Sequence, residues 1–263
     1  MKEFLGIGGY ARQPEGYMSW QHLTFATALM VIMIAAAVFL GRADKGKTNR
    51  KKNRTLLIAA ILMDGIEIFK VAVLCVGAHA LGENVWGRLF GNLPLYLCSI
   101  QLISIPLAAF SKGRLKQASL DFVVVFGLLG AFFGTYFAGQ NYGCYPILSI
   151  DNVASGITHA IAGFCTLYIL ISGMASMKKK NIWITFVILL AFCLAAYNAN
   201  RLLGTNYMFL VEGDGTPYDI VYRLVNGSQV LYPMLVIGLL IAYIAAFYGV
   251  YYLVSGRIKP SGN

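Results

Sequence analysis

The chain predicts an all-α, polytopic membrane protein with seven transmembrane helices, its N-terminus outside and its C-terminus cytoplasmic. Three observations predict it. Hydrophobic residues make up 58% of the 263 positions and charged residues only 12%, where a soluble domain carries about 25% charged. Seven apolar runs, at roughly 21–41, 55–81, 93–111, 118–138, 157–177, 181–200 and 229–253, each approach the ~20 residues that a helix needs to cross ~30 Å of hydrocarbon. The basic residues, finally, collect in alternate gaps between the runs.

The charge count sets the orientation. The 42–54 gap holds Arg42, Lys45, Lys47, Arg50, Lys51, Lys52 and Arg54. The 112–117 gap holds Lys112, Arg114 and Lys116, the 178–180 gap three lysines, and the tail Arg257 and Lys259. The opposite side has Lys2, Arg12, Arg88, Arg201 and Arg223, and Lys70 falls within a run. The positive-inside rule therefore places the N-terminus outside. The +10 net charge reads as this signal and as contact with anionic lipid, not as a nucleic-acid face. The expected location is a bacterial cytoplasmic membrane, crossed several times.

Three parts follow in order. Residues 1–20 form an external lead, with Tyr17 and Trp20 suited to the interface. Residues 21–253 form the seven-helix membrane domain, and 254–263 a cytoplasmic tail. The first run is too long for a signal-peptide core and precedes a basic block, so it reads as a true span. The stretch 201–228 is the longest outer connection. Of the five cysteines only Cys144 falls clearly in an outer loop, which gives no disulfide framework. No metal-ligand spacing appears, and no cofactor is indicated. The oligomeric state is left open.

Ionisable residues within a membrane are costly and must face the interior or pair. The second run carries Asp64, Glu67 and Lys70. Glu67 and Lys70 are three apart and share a helix face, which suits either an internal ion pair or a charged cavity wall with a proton path. Asp121 reads as an interface residue near a helix start, where an acid suits the dipole. Taking the runs in alternating directions puts His22, His79, His159, Cys98 and Arg201 in the outer half of the bilayer. That clustering predicts a polar cavity open to the outer side, with Cys98 and His159 within reach of each other and Glu67 paired to Lys70 below. Asn92-Leu93-Pro94 reads as a helix start with Cys98 in the second turn, and Ser155 reads as a cap with His159 one turn in.

Glu67-Ile68-Phe69-Lys70, Leu93-Pro94-Leu95-Tyr96-Leu97-Cys98, His159 and Asn206-Tyr207-Met208-Phe209-Leu210 occur in that order. Over roughly 55–253 they resemble the YwaF family of bacterial integral membrane proteins, which is similar to eukaryotic transmembrane protein 164. Two departures stand out. Tyr96 replaces a common His, and Val211-Glu212-Gly213-Asp214-Gly215 replaces a Trp-rich stretch. The resemblance implies an acyltransferase working on membrane phospholipids, with Cys98 and His159 at the positions to which acyl transfer is attributed. A thiolate would take the acyl group as a thioester while an imidazole moves the protons. By depth alone, Asn200, Arg201 and Asn206 are the candidate donors to the oxyanion or to substrate. Two other readings stay open: an ion- or proton-coupled transporter using Asp64, Glu67 and Lys70, and a non-catalytic lipid-binding membrane protein. A rhodopsin-like receptor fits poorly, since the last run has no central lysine.

Overall fold

Ser19 sets the first long helix. Its hydroxyl accepts from the His22 N–H at 3.2 Å, satisfying one of the free donors at a helix start. In the computed structural model, which describes residues 2–175 and 177–258, the chain falls into two compact units, 1–176 and 177–263. All regular structure among the described residues is helical.

The first unit contains α1 (Lys2–Leu5), α2 (Trp20–Asp44), α3 (Asn49–Ala80), α4 (Val85–Gly91), α5 (Gln101–Phe110), α6 (Gly113–Tyr136), α7 (Gly139–Cys144) and α8 (Ile150–Ile171). Helix α8 packs most extensively on α6 and α2, and also on α3. Every residue from Ala118 to Gly127 is buried, so α6 is covered all round in its first half, as a helix at the centre of a bundle must be. Helix α2 is the opposite case. It buries Ala26, Met30, Met33 and Ala37 at helical spacing while Val31, Ile32 and Phe39 stand 60–73% exposed. A helix apolar on both faces presents its outer face to lipid.

Side-chain hydrogen bonds fix which helix ends meet. At one end, His22 Nδ1 accepts from the Met18 N–H, so its Nε2 carries the proton and donates to the Thr135 carbonyl at 2.8 Å. Nearby, Tyr10 donates to Asp151 at 2.7 Å and the Ile147 N–H donates to Glu15. These bonds tie the lead to the start of α8. At the other end Asp44 accepts from Tyr168 at 2.8 Å and from Thr55 at 3.1 Å. There too Lys116 donates to the Ala108 carbonyl at 2.9 Å and to Asn53, whose amide caps Ala109. The basic gaps 42–54 and 112–117 therefore share one end of this unit.

The second unit comprises α9 (Ile182–Leu203), α10 (Tyr218–Leu224) and α11 (Leu231–Ile258). Gly204 ends α9 in the left-handed region at φ 65°, its N–H returning to Asn200 O, the geometry that favours glycine there. Thr185 and Tyr248 hydroxyls join α9 to α11 at 3.3 Å. Helix α11 continues to Ile258, into the stretch read as a tail. Lys259 and the rest of that tail lie outside the described residues.

Among the described residues five segments are long and apolar enough to cross a membrane: Trp20–Asp44, Gly113–Cys144, Ile150–Ile171, Lys179–Leu203 and Leu231–Ser255. The two remaining apolar runs differ from simple spans. Helix α3 has 32 residues, ample length, but Asp64, Glu67 and Lys70 interrupt its apolar window. Helix α5 has 10 residues, or ~15 Å at ~1.5 Å per residue. The chain before it, 92–100, is a series of turns. Asn92, read as opening a helix, instead closes α4. Non-helical backbone within a membrane protein is tolerated where it is buried in protein or lines a cavity, and this segment carries Cys98. Two further expectations change. Helix α8 starts at Ile150 under a Ser149 cap rather than after Ser155, so Ser155 is interior and His159 lies in the third turn. Asp121 is fully buried in the third turn of α6 rather than at its start.

Candidate active site

Three elements of the first unit converge on one small cavity of about 50 Å³. Helix α3 supplies Met63, Glu67 and Lys70, at the i, i+4, i+7 spacing that keeps side chains on one face. The turn segment and the first residues of α5 supply Cys98, Ser99, Gln101 and Leu102. Helix α8 supplies Ser155, Thr158 and His159. Cys98 and His159, on different segments and far apart in sequence, thus share a wall.

The protonation of His159 follows from its contacts. Nδ1 lies 2.6 Å from the Ser155 carbonyl oxygen. A carbonyl only accepts, so Nδ1 carries the proton and the neutral ring offers its lone pair at Nε2. A histidine's second nitrogen is set by the bond its first one makes. Nε2 is shielded from solvent and has no formed hydrogen bond, while the Cys98 side chain is the interacting neighbour of the ring. Thiol and ring are thus neighbours in one cavity, and the ring's Nε2 has no formed hydrogen bond. Such bonds are often long before substrate arrives. The Ser99 hydroxyl is the other neighbour of Cys98 Sγ, at 3.9 Å.

Helix α6 makes room for both groups. A Cβ on Gly134 would overlap the His159 ring, and one on Gly130 would meet Cys98 at 3.6–3.7 Å. One turn earlier, a Cβ on Gly127 would overlap Thr166 Oγ1, whose hydroxyl bonds the Val123 carbonyl across the α6–α8 contact. Glycines spaced along one face therefore let α8 and the Cys98 turn close on α6.

In the same cavity, Glu67 and Lys70 form an ion pair at 2.6 Å, their side chains 14% and 12% exposed. Asp64, on the same helix, has a buried Oδ1 with no partner. Asn200, Arg201 and Asn206 belong to the second unit. Asn200 donates to Tyr207 O and accepts from Tyr207 N and Thr205, and Asn206 is bonded to Val211 N and Glu212 O. Both amides are spent on shaping the 204–212 loop of the second unit. Arg201 lies over the Tyr197 ring, 6.0 Å from its centre. His22 is locked between α2 and α6, and His79 is exposed. All five cysteines are free.

Sequence reasoning passed over Gln101. It is 1% exposed, lines the cavity, and neither its amide oxygen nor its nitrogen has a partner. A lone amide within the apolar run 93–111, three residues from Cys98, was the available signal.

Fold and site define a multi-pass membrane protein whose interior holds a thiol and an imidazole in one polar cavity. Its long apolar helices and lipid-exposed faces leave no other class. The chain belongs to the TMEM164 family, whose model matches residues 17–251, a span that includes every cavity residue. No curated protein and no solved structure matches it.

Proposed function

We propose that this protein is a membrane-embedded acyltransferase that moves acyl chains between phospholipids through Cys98 and His159. The observation that supports the proposal is the shared cavity, which Cys98 and His159 both line and in which the imidazole's Nε2 is free of hydrogen bonds. In the reaction, Nε2 takes the Sγ proton and the thiolate adds to the ester carbonyl. The glycerol oxygen then leaves with that proton, and Cys98 holds the acyl group as a thioester. A hydroxyl of a second lipid, deprotonated by the same nitrogen, attacks the thioester and restores the thiol. Ser155, through its carbonyl, is the positioning group for the ring. Family membership and the resemblance to transmembrane protein 164 support the same assignment.

The topology that goes with this reading has seven crossings. Helix α3 is one of them, its charges facing inward, and the 92–100 turns with α5 form another. The N-terminus is outside, the C-terminus cytoplasmic, and the basic end meets the anionic inner leaflet of a bacterial membrane. Phospholipids are the partners, and nucleic acid is not one.

Purified protein given labelled phospholipid and lysophospholipid is expected to exchange acyl chains, and Cys98→Ala to stop the exchange. Undiminished turnover in that variant would remove the covalent route. The presence of Glu67 and Lys70 in the same cavity keeps ion movement as the second reading. Flux in liposomes that disappears in Glu67→Gln would favour it.

A further inference from the structure

Gln101 is the group in the cavity with nothing to do in the resting protein. A buried amide without partners is costly, and well-packed proteins retain one where function needs it. The surrounding polar side chains are already engaged. Thr158 donates to the Ser155 carbonyl, Ser104 on the next turn donates to Ile100 O, and Lys70 is paired with Glu67. Gln101 sits in the first turn of α5, so its position is fixed by the same backbone that holds Cys98. The C-terminal end of α5 is clamped by Lys116 and Asn53, which leaves that turn little freedom to drift.

We propose that Gln101 is a further catalytic residue, whose Nε2–H donates to the oxyanion formed when Cys98 Sγ adds to an acyl carbonyl. This rests on the acyl-transfer reading and adds the component that reading lacks. As the S–C bond forms, the carbonyl electron pair moves onto oxygen, and the amide hydrogen receives it. As the pair returns, the bond from carbon to the leaving oxygen breaks and the amide is released unchanged. No proton passes through Gln101. A neutral donor suits a buried site, because it carries no charge to desolvate before substrate arrives. The same contact serves the second half-reaction, where a lipid hydroxyl adds to the thioester.

Two reactions of the same thiol separate this role from packing. Alkylation by iodoacetamide displaces iodide at a saturated carbon and forms no oxyanion, whereas acylation by a p-nitrophenyl fatty ester does. In the full-length protein in detergent, Gln101→Leu is expected to slow acylation of Cys98 by about 10²–10³-fold and to leave alkylation unchanged. Because Gln101→Leu replaces an unpartnered amide with an apolar group of similar size, its melting temperature should equal or exceed the parent's. Parallel slowing of both reactions would make Gln101 a packing residue, and no slowing of either would remove it from the chemistry. If the parent protein is alkylated at Cys98 but never acylated by any ester, the acyl-transfer reading itself falls, and this assignment with it.

Discussion

Replacing Lys70 by Met removes the ammonium that neutralises Glu67 and leaves a carboxylate on the inner face of α3. The two groups meet at 2.6 Å with only 12% and 14% of their side chains exposed, so solvent can do little to compensate. Breaking one half of a buried ion pair costs about 3–5 kcal/mol, whereas replacing both halves with neutral groups of similar volume is close to neutral. The residual access to the cavity places the single change near the lower bound, about 3 kcal/mol. For a chain of this size each kcal/mol moves the melting temperature by roughly 2–4 °C. Lys70→Met should therefore lower Tm by roughly 6–12 °C, Glu67→Gln by a similar amount, and the double variant by far less than their sum. Thermal unfolding of the four proteins in one detergent measures this directly. Single variants as stable as the parent, or a double variant that loses the full sum, would refute the claim that the two charges are held by each other.

Three other outcomes follow from the packing. Gly134→Ala drives a methyl group into the His159 ring; overpacking of this kind costs about 1–3 kcal/mol, and acyl exchange should fall more steeply than stability as Nε2 is displaced from Cys98. Lys116→Met uncaps the last carbonyls of α5 and should cost about 1.5–3 kcal/mol, the range for a hydrogen bond to a charged group, read in the same melt. Burial and the Asp151 carboxylate hold the Tyr10 phenol above its ordinary value near 10. A group whose pKa is raised on folding contributes stability that is fully present below its unfolded value and is lost as pH rises through the folded one. The stability advantage of the parent over Tyr10→Phe should therefore be constant to about pH 10 and shrink above it; an advantage that grows with alkalinity would contradict the Tyr10–Asp151 bond.

Hydropathy made the long helices legible because a bilayer demands one length and one composition. It read both ends of α2 and α9 to within about three residues, one end each of α6 and α11 as closely, and set α8 about six residues late at each end. It misjudged places where long-range partners decide. Asp151 and Asn152 lie ahead of the apolar run, yet they open α8: Tyr10 donates to Asp151, and the Asn152 amide N–H group donates to the carbonyls of Tyr145 and Pro146. Asn92 and Pro94 have the local chemistry of a helix start, but the backbone from 92 to 100 turns instead, and that irregular stretch is what brings Cys98 to the cavity. The i, i+3 spacing of Glu67 and Lys70 was sufficient to anticipate a contact, since it depends on one helix only. Gln101 stood out only as a lone amide in an apolar run: its significance lies in what it lacks, and a sequence does not record an absent partner. Asn200 and Asn206 looked like free donors because the loop that consumes them folds back from residues 205–212.

The account depends on a covalent acyl intermediate at Cys98. Brief incubation of the protein with labelled phospholipid, followed by acid quench and peptide mass analysis, measures it directly. The expected result is one acyl group on Cys98, released by neutral hydroxylamine, reduced in His159→Gln and absent in Cys98→Ala. Acyl exchange that proceeds with no label on Cys98 at any time, or with label on another residue, would contradict it.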